Sequence, residues 1–294
     1  MATNQQFLQC DTTTLANFKA WCSAISGRFA AFGWIQTADT GQVNWASISS
    51  VPSSGSWVYE IWRPNDALQT GASQFFLKIE YGQNSSYGPT LRLSLGTSTT
   101  GAGVLSGFTT GLFLLSSYYT NVNSGALTYE CDFSGDAGRF GALLWRPHSL
   151  PACMWFAVER TCNTDGSYNA DGVTLFGMSH LNNDGGQQTL TFASGPAVRY
   201  NAYLNSINVI GNSYAYSLAS EVLGTTSQVP IAPCYPSYGK YGNPCTAVAS
   251  CPNNDAGEGA LVQTTLYGAA RTYIATHPVS NAALYQRKTL IRYD

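Results

Sequence analysis

Three segments between Trp57 and Leu95 place their side chains alternately on two faces, and this period of two restricts the fold more than any other feature. In "SWVYEIWRP" (56–64), Trp57, Tyr59 and Ile61 point one way while Val58, Glu60 and Trp62 point the other. In "QFFLKIEYG" (74–82), Phe75, Leu77, Ile79 and Tyr81 oppose Phe76, Lys78 and Glu80. In "TLRLSLGT" (90–97), Leu91, Leu93 and Leu95 oppose Arg92 and Ser94. "QVNWASI" (42–48) has the same alternation and reads as an earlier strand. The breakers "VPSSGS", "RPNDALQTG" and "GQNSSYGP" carry turn chemistry, so residues 80–103 should join two adjacent antiparallel strands.

The pattern recurs at 126–133, 140–147, 154–161, 172–179, 188–194, 214–220, 260–268, 271–275 and 289–294. One segment breaks it. Across "TTLANFKAWCSAIS" (13–26), Leu15, Phe18, Cys22 and Ile25, followed by Phe29, fall on a single helical stripe. Asp11 or a Thr of "DTTT" can cap it, and Gly27 can stop it unless the stripe carries on to Phe32 and Gly33. So short a helix needs a sheet or a neighbouring subunit to dock on, and Leu15, Phe18, Ile25 and Phe29 are the candidate interface. Without βαβ alternation, the expected fold is mainly β, an antiparallel sandwich or jelly-roll-like core with one N-terminal helix and long irregular loops. A single domain accounts for 1–294: a helical arm (1–35), a β core (36–225), an irregular Pro/Cys/Tyr-rich loop (226–258) and C-terminal strands (259–294).

Charge narrows the partners. Only 10% of the 294 residues are charged and the net charge is −2. No Lys/Arg stripe exists, which argues against nucleic acid. Val104–Tyr119 is too short and too polar for a transmembrane segment. "MATNQQFLQCDTTT" lacks the basic and apolar regions of a secretory signal, so folding in a cytoplasm is expected. The eight cysteines include no C-x-x-C pair. They read first as reduced, buried small hydrophobes, with late disulfides or metal ligation as the alternatives.

Catalytic groups do not converge. His148, His180 and His277 lie far apart in sequence, and Ser179 beside His180 should face the opposite side of its strand. Glu60, Glu80, Glu130, Asp132 and Glu159 could supply a glycosidase pair, yet Arg63, Lys78 and Arg160 sit beside three of them and suggest ion pairs instead. Asp165, Ser167, Asn169 and Asp171 alternate like calcium ligands, but an EF-hand would need Gly and Glu where Ala170 and Phe176 stand. That segment reads better as a hairpin tip. "GTSTTGAG" (96–103) lacks the lysine of a phosphate loop and reads as a Gly/Thr-rich connection. No catalytic residue, metal or cofactor is expected. The abundant resource is aromatic: 18 Tyr, 13 Phe and 7 Trp. In "YPSYGKYG", Tyr235, Tyr238 and Tyr241 suit an interface, a stacked glycan or loop packing.

Four stretches together resemble virion structural proteins of tailed bacteriophages. They are "LANFKAWCSAISGRFAAFGWIQTADTGQVNW", "WVYEIWRPNDALQ…FFLKIEYG…PTLRLSLGTSTTGAGVLSG", "FAVERT…DGV" and "GAARTYIATHP…LIRYD". The resemblance touches most of the chain through structural motifs. It implies a tail, neck, baseplate or fibre component that is no enzyme, is assembled in the host cytoplasm and resides in the virion. The implied partners are other copies in a homo-oligomer and other virion proteins. A receptor- or carbohydrate-binding module contacting a host surface glycan is the alternative.

Overall fold

The computed structural model describes residues 2–9, 14–53, 55–84, 88–111, 113–116, 128–145, 153–179, 184–193, 195–201, 232–233, 245–252, 256–257, 259–276 and 287–294. The chain opens with β1 (Ala2–Gln9) and α1 (Leu15–Ala31). Thr14 caps the helix, its Oγ1 accepting from Asn17 N at 3.1 Å. The helix runs through Gly27, whose face is exposed, and ends where Gly33 takes a positive φ of 92°. Phe18, Trp21, Cys22, Ile25 and Phe29 make the buried stripe.

An antiparallel sheet follows: β2 (Ile35–Gln36), β3 (Val58–Arg63), β4 (Phe76–Asn84), β5 (Gly88–Thr99) and β6 (Leu105–Thr109), in that order. β7 (Phe113–Ser116) also pairs with β5, along Thr90–Leu93, while β6 takes its far half. Leu77 faces Leu95, Ile79 faces Leu93 and Tyr81 faces Leu91, all of them buried. The alternation thus sets this register, and β4 and β5 are the two strands expected around 80–103.

The central sheet contains β1, then β8 (Thr128–Asp136), β9 (Arg139–Trp145), β10 (Cys153–Cys162), β11 (Tyr168–Ser179), β12 (Asp184–Thr191) and β13 (Gly195–Asn201). The third sheet is ordered β14 (Ala232–Pro233), β15 (Val248–Pro252), β18 (Arg287–Arg292), β17 (Ala269–Ala275) and β16 (Leu261–Leu266). Every pairing among the described residues is antiparallel. Among the described residues the protein is mainly β with one α-helix, near the N-terminus, as its alternation requires. Its core is sandwich-like.

The central sheet is covered on both faces. Phe140, Ala142, Leu144, Met154, Phe156, Val158, Val173 and Leu175 face α1 and the β2–β7 sheet in the largest apolar cluster. Leu143, Trp155, Ala157 and Phe176 face the third sheet, against Cys245, Ala247, Val248, Ile274 and Ile291. Phe29 pins the first interface: its ring stacks on Phe140 at 3.7 Å and on Trp62 at 5.2 Å. Burial of each large helix side chain contributes about 1.5–3 kcal/mol, which is what holds so short a helix.

Three sequence expectations need correction. Residues 42–48 form a turn, because Gln42 is consumed by its surroundings: its amide donates to Thr37 O and Asp39 O, and its Oε1 accepts from Ile61 N at 2.7 Å. Asn44 Oδ1 then accepts from Ala46 N in a tight bend. The N-terminal segment is not an arm, since β1 pairs with β8 and the helix lies in the core. Nor is 226–258 irregular throughout. β14 and β15 belong to the third sheet, and Cys245, Ala247 and Val248 fill its core.

Candidate functional site

The interface expected on the helix is not on the surface. Phe18, Ile25 and Phe29 are 0% exposed, and Leu15 is half-buried in the first turn. Phe18, Ile25 and Phe29 pack into the protein's own main apolar cluster. Tyr235, Tyr238 and Tyr241 lie outside the described residues, as do His148, His180 and His277. Of the cysteines, Cys22, Cys131, Cys162, Cys245 and Cys251 are buried thiols outside any disulfide. Burial pushes the Cys22 and Cys162 thiols up, which keeps them protonated and inert. Among the described residues no cluster of three or more His, Cys, Asp or Glu is placed to hold a metal, and no helix is long and apolar enough to cross a membrane.

The carboxylates considered as a glycosidase pair go separate ways. Only Glu80 keeps the expected partner, Lys78 Nζ at 3.6 Å. Glu60 turns inward under α1. Its Oε1 accepts from Ser26 Oγ at 2.7 Å and Trp45 Nε1 at 3.2 Å, and its Oε2 from Tyr81 OH at 2.9 Å and Trp62 Nε1 at 3.1 Å. Burial pushes its carboxyl up from the ordinary value, against the pull of those four donors. Asp132 is buried on the face of β8 opposite Cys131 and Phe133, and the side chain of Glu130 is outside the described residues.

Glu159 and Arg160, adjacent in sequence, do not pair, because successive strand residues face opposite sides of the sheet. Glu159 faces the third sheet. Its Oε2 accepts from Thr246 N at 2.9 Å, Ala247 N at 3.0 Å and Cys245 Sγ at 3.2 Å, and its Oε1 from Thr246 Oγ1. Arg292 Nη1 donates to Thr246 Oγ1 at 2.7 Å, and its Nε to Asp294 Oδ1 at 2.7 Å. Arg139 reaches Asp294 O at 2.6 Å and Ser134 Oγ at 2.9 Å. Burial opposes the Arg292 charge, yet Asp294 and Glu159 hold its guanidinium above the usual range. The two sheets are sewn together by this polar seam.

Arg160 faces the other way and clamps the 64–75 connection. Its Nε and Nη2 donate to Asp66 at 2.5 and 3.0 Å, its Nη2 also to Gln69 Oε1 at 2.9 Å, and its Nη1 to Ser73 O at 2.8 Å. The guanidinium lies 4.9 Å from the centre of the Phe75 ring. Sequence reasoning missed this clamp. Its signal was the polar "NDALQ" between two strands, which supplies both side-chain acceptors.

The Gly/Thr-rich segment is a packing device. Asp39 accepts from Thr37 Oγ1 at 2.7 Å, Thr99 Oγ1 at 3.0 Å and Gly103 N at 3.1 Å. Gly103 has φ 77° and lies so close to the Tyr59 ring that a Cβ would overlap its hydroxyl. The Asp165 carboxylate accepts from Ser167 N at 2.8 Å within the β10–β11 tip, so that segment is a hairpin end.

One opening sits beside the Arg160 clamp. It has a volume of about 500 Å³ and is lined by Ala72, Ser73, Ala170, Asp171, Phe192 and Ala193. Neither a model of a known protein family nor a curated protein matches this chain.

Proposed function

We propose that this chain is a non-enzymatic structural subunit of a tailed-bacteriophage virion, associated with the tail, neck, baseplate or fibre region, and that it acts by assembling with copies of itself and with other virion proteins. One observation carries the reading. The stretches that resemble virion proteins supply each other's partners. Arg160 of "FAVERT" grips Asp66 and Gln69 of "NDALQ", Asp39 of "QTADTG" holds Gly103 of "TTGAG", and Ser26 of the helix donates to Glu60 of "VYEIW". Motifs tied to one another in this way are the specification of a body, and their polar groups are spent on holding sheets together.

Low charge supports the same reading. A surface with 10% charged residues in the chain depends on neutral polar groups or on burial in an assembly. Light scattering on the purified chain, reduced and non-reduced, gives the test. A discrete trimer, hexamer or larger ring is the expected result. A chain that stays monomeric in both conditions and does not co-purify with particles overturns the proposal.

A further inference from the structure

The opening beside the Arg160 clamp has the chemistry of a small binding site, and we infer that it takes a neutral saccharide ring. Its walls come from three rigid places. Ala72 and Ser73 sit on the 3-10 turn Gly71–Ser73, Ala170 and Asp171 on β11, and Phe192 and Ala193 just past β12. Each wall is fixed from behind. Arg160 donates to Ser73 O, and Ser73 Oγ donates to Leu68 O at 2.6 Å. Phe192 N donates to Asp171 O at 3.0 Å, and Asp171 N donates to Asn169 Oδ1 at 3.0 Å. Phe192 also packs partly against the main apolar cluster, so its ring is held before any ligand arrives.

The ligand class follows from what is offered and what is withheld. Three alanines keep the rim low and leave the Phe192 ring approachable. Asp171 is exposed and its carboxylate accepts no hydrogen bond among the described residues, so it is open to donors from a ligand in exchange for solvent. Arg160, the cation behind Ser73, is engaged by Asp66, Gln69 and Ser73 through four hydrogen bonds. An anionic ligand would therefore meet the Asp171 carboxylate while Arg160 is already committed to its own partners. What fits is an uncharged molecule with an apolar face for Phe192 and hydroxyl donors for Asp171, which describes a pyranose. A lysine side chain from a protein partner could reach Asp171 too, but one thin side chain would leave most of about 500 Å³ empty.

This inference stands apart from the assembly reading, since solution mass tests one and ligand titration the other. The test uses the full chain labelled at alanine methyls, because Ala72, Ala170 and Ala193 line the opening. Glucose, galactose, mannose, rhamnose and N-acetylglucosamine are titrated singly by NMR. At least one should give saturable shifts confined to those methyls. Phe192→Leu and Asp171→Asn should each weaken that sugar roughly tenfold. Ala193→Trp, which alters an exposed residue and leaves the core alone, should abolish binding while the solution mass stays the same. Three results overturn the inference: no saturable shift with any of the sugars, equal affinity in all the variants, or shifts at these methyls only with N-acetyl-lysine amide.

Discussion

Glu60→Gln preserves the shape of the side chain and changes only its hydrogen-bonding sense, so its cost can be worked out from the four donors. Each carboxylate oxygen holds one hydroxyl and one indole: Ser26 and Trp45 on Oε1, Tyr81 and Trp62 on Oε2. A hydroxyl can reverse and accept from an amide, but an indole N–H can only donate. Whichever way the glutamine amide turns, its NH₂ meets an indole N–H. One buried donor is orphaned at about 1–3 kcal/mol, and the surviving bonds lose their charge assistance. Removing the desolvated charge returns part of that. The expected loss is about 2 kcal/mol near neutral pH, against roughly 5 kcal/mol for Glu60→Leu, which orphans all four donors.

The pH dependence adds a sign. Burial raises the folded carboxyl above its ordinary value of 4.5. Stability from this group is therefore complete below that value and is lost as pH rises through the raised one. The gap between wild type and Glu60→Gln should be widest in acid and narrow as pH rises. Urea unfolding followed by tryptophan fluorescence measures it, with far-UV circular dichroism as the two-state check. A glutamine variant within about 0.5 kcal/mol of wild type, or a gap that widens with pH, refutes the account.

Glu159→Ala should cost about 3–5 kcal/mol and raise amide exchange at Thr246 and Ala247, whose N–H groups lose their acceptor. Arg160→Lys cannot reproduce the four-bond fork, so limited proteolysis should cut within 66–73 in the variant and spare the wild type. Gly103→Ala meets both the Tyr59 ring and a positive φ, whereas Gly101→Ala has φ 78° and open space; calorimetry should show the first losing at least about 2 kcal/mol and the second about 1. Burial pushes the Asp39 carboxyl up, but its hydrogen bonds outweigh that and hold it below the usual range. Stability should then fall as pH drops through the lowered value, and Asp39→Asn should flatten that limb of the acid titration.

What was legible in the sequence was whatever repeats at a fixed period. The faces of 74–82 and 90–97 came out residue by residue, because alternation encodes which side is buried and the register brings Leu opposite Leu. The stripe Phe18, Cys22, Ile25 and Phe29 was equally plain, but a stripe says that a face is covered and not by what. Its partner is the chain's own Phe140 and Trp62, which are distant in sequence. The strand expected at 42–48 failed for a related reason. Alternation there is real, yet Gln42 and Asn44 satisfy neighbouring backbone groups with their side chains and bend the chain away from a ladder.

Charged residues were the least legible, and the reason bears on function. Adjacency along a strand suggested that Glu159 and Arg160 answer one another, whereas the pleat sends them to opposite faces of the central sheet. Their partners, Thr246 and Asp66, lie on opposite sides of that sheet. With Glu159 tied to one layer and Arg160 to the other, the central sheet is a plate held from both sides. The opening at Phe192 and Asp171 lies where the clamp from one of those sides meets the rim of the plate. A binding surface placed there takes its rigidity from Arg160, which is why Arg160→Lys should cost sugar affinity as well as protease resistance. Loss of one without the other would separate the clamp from the site.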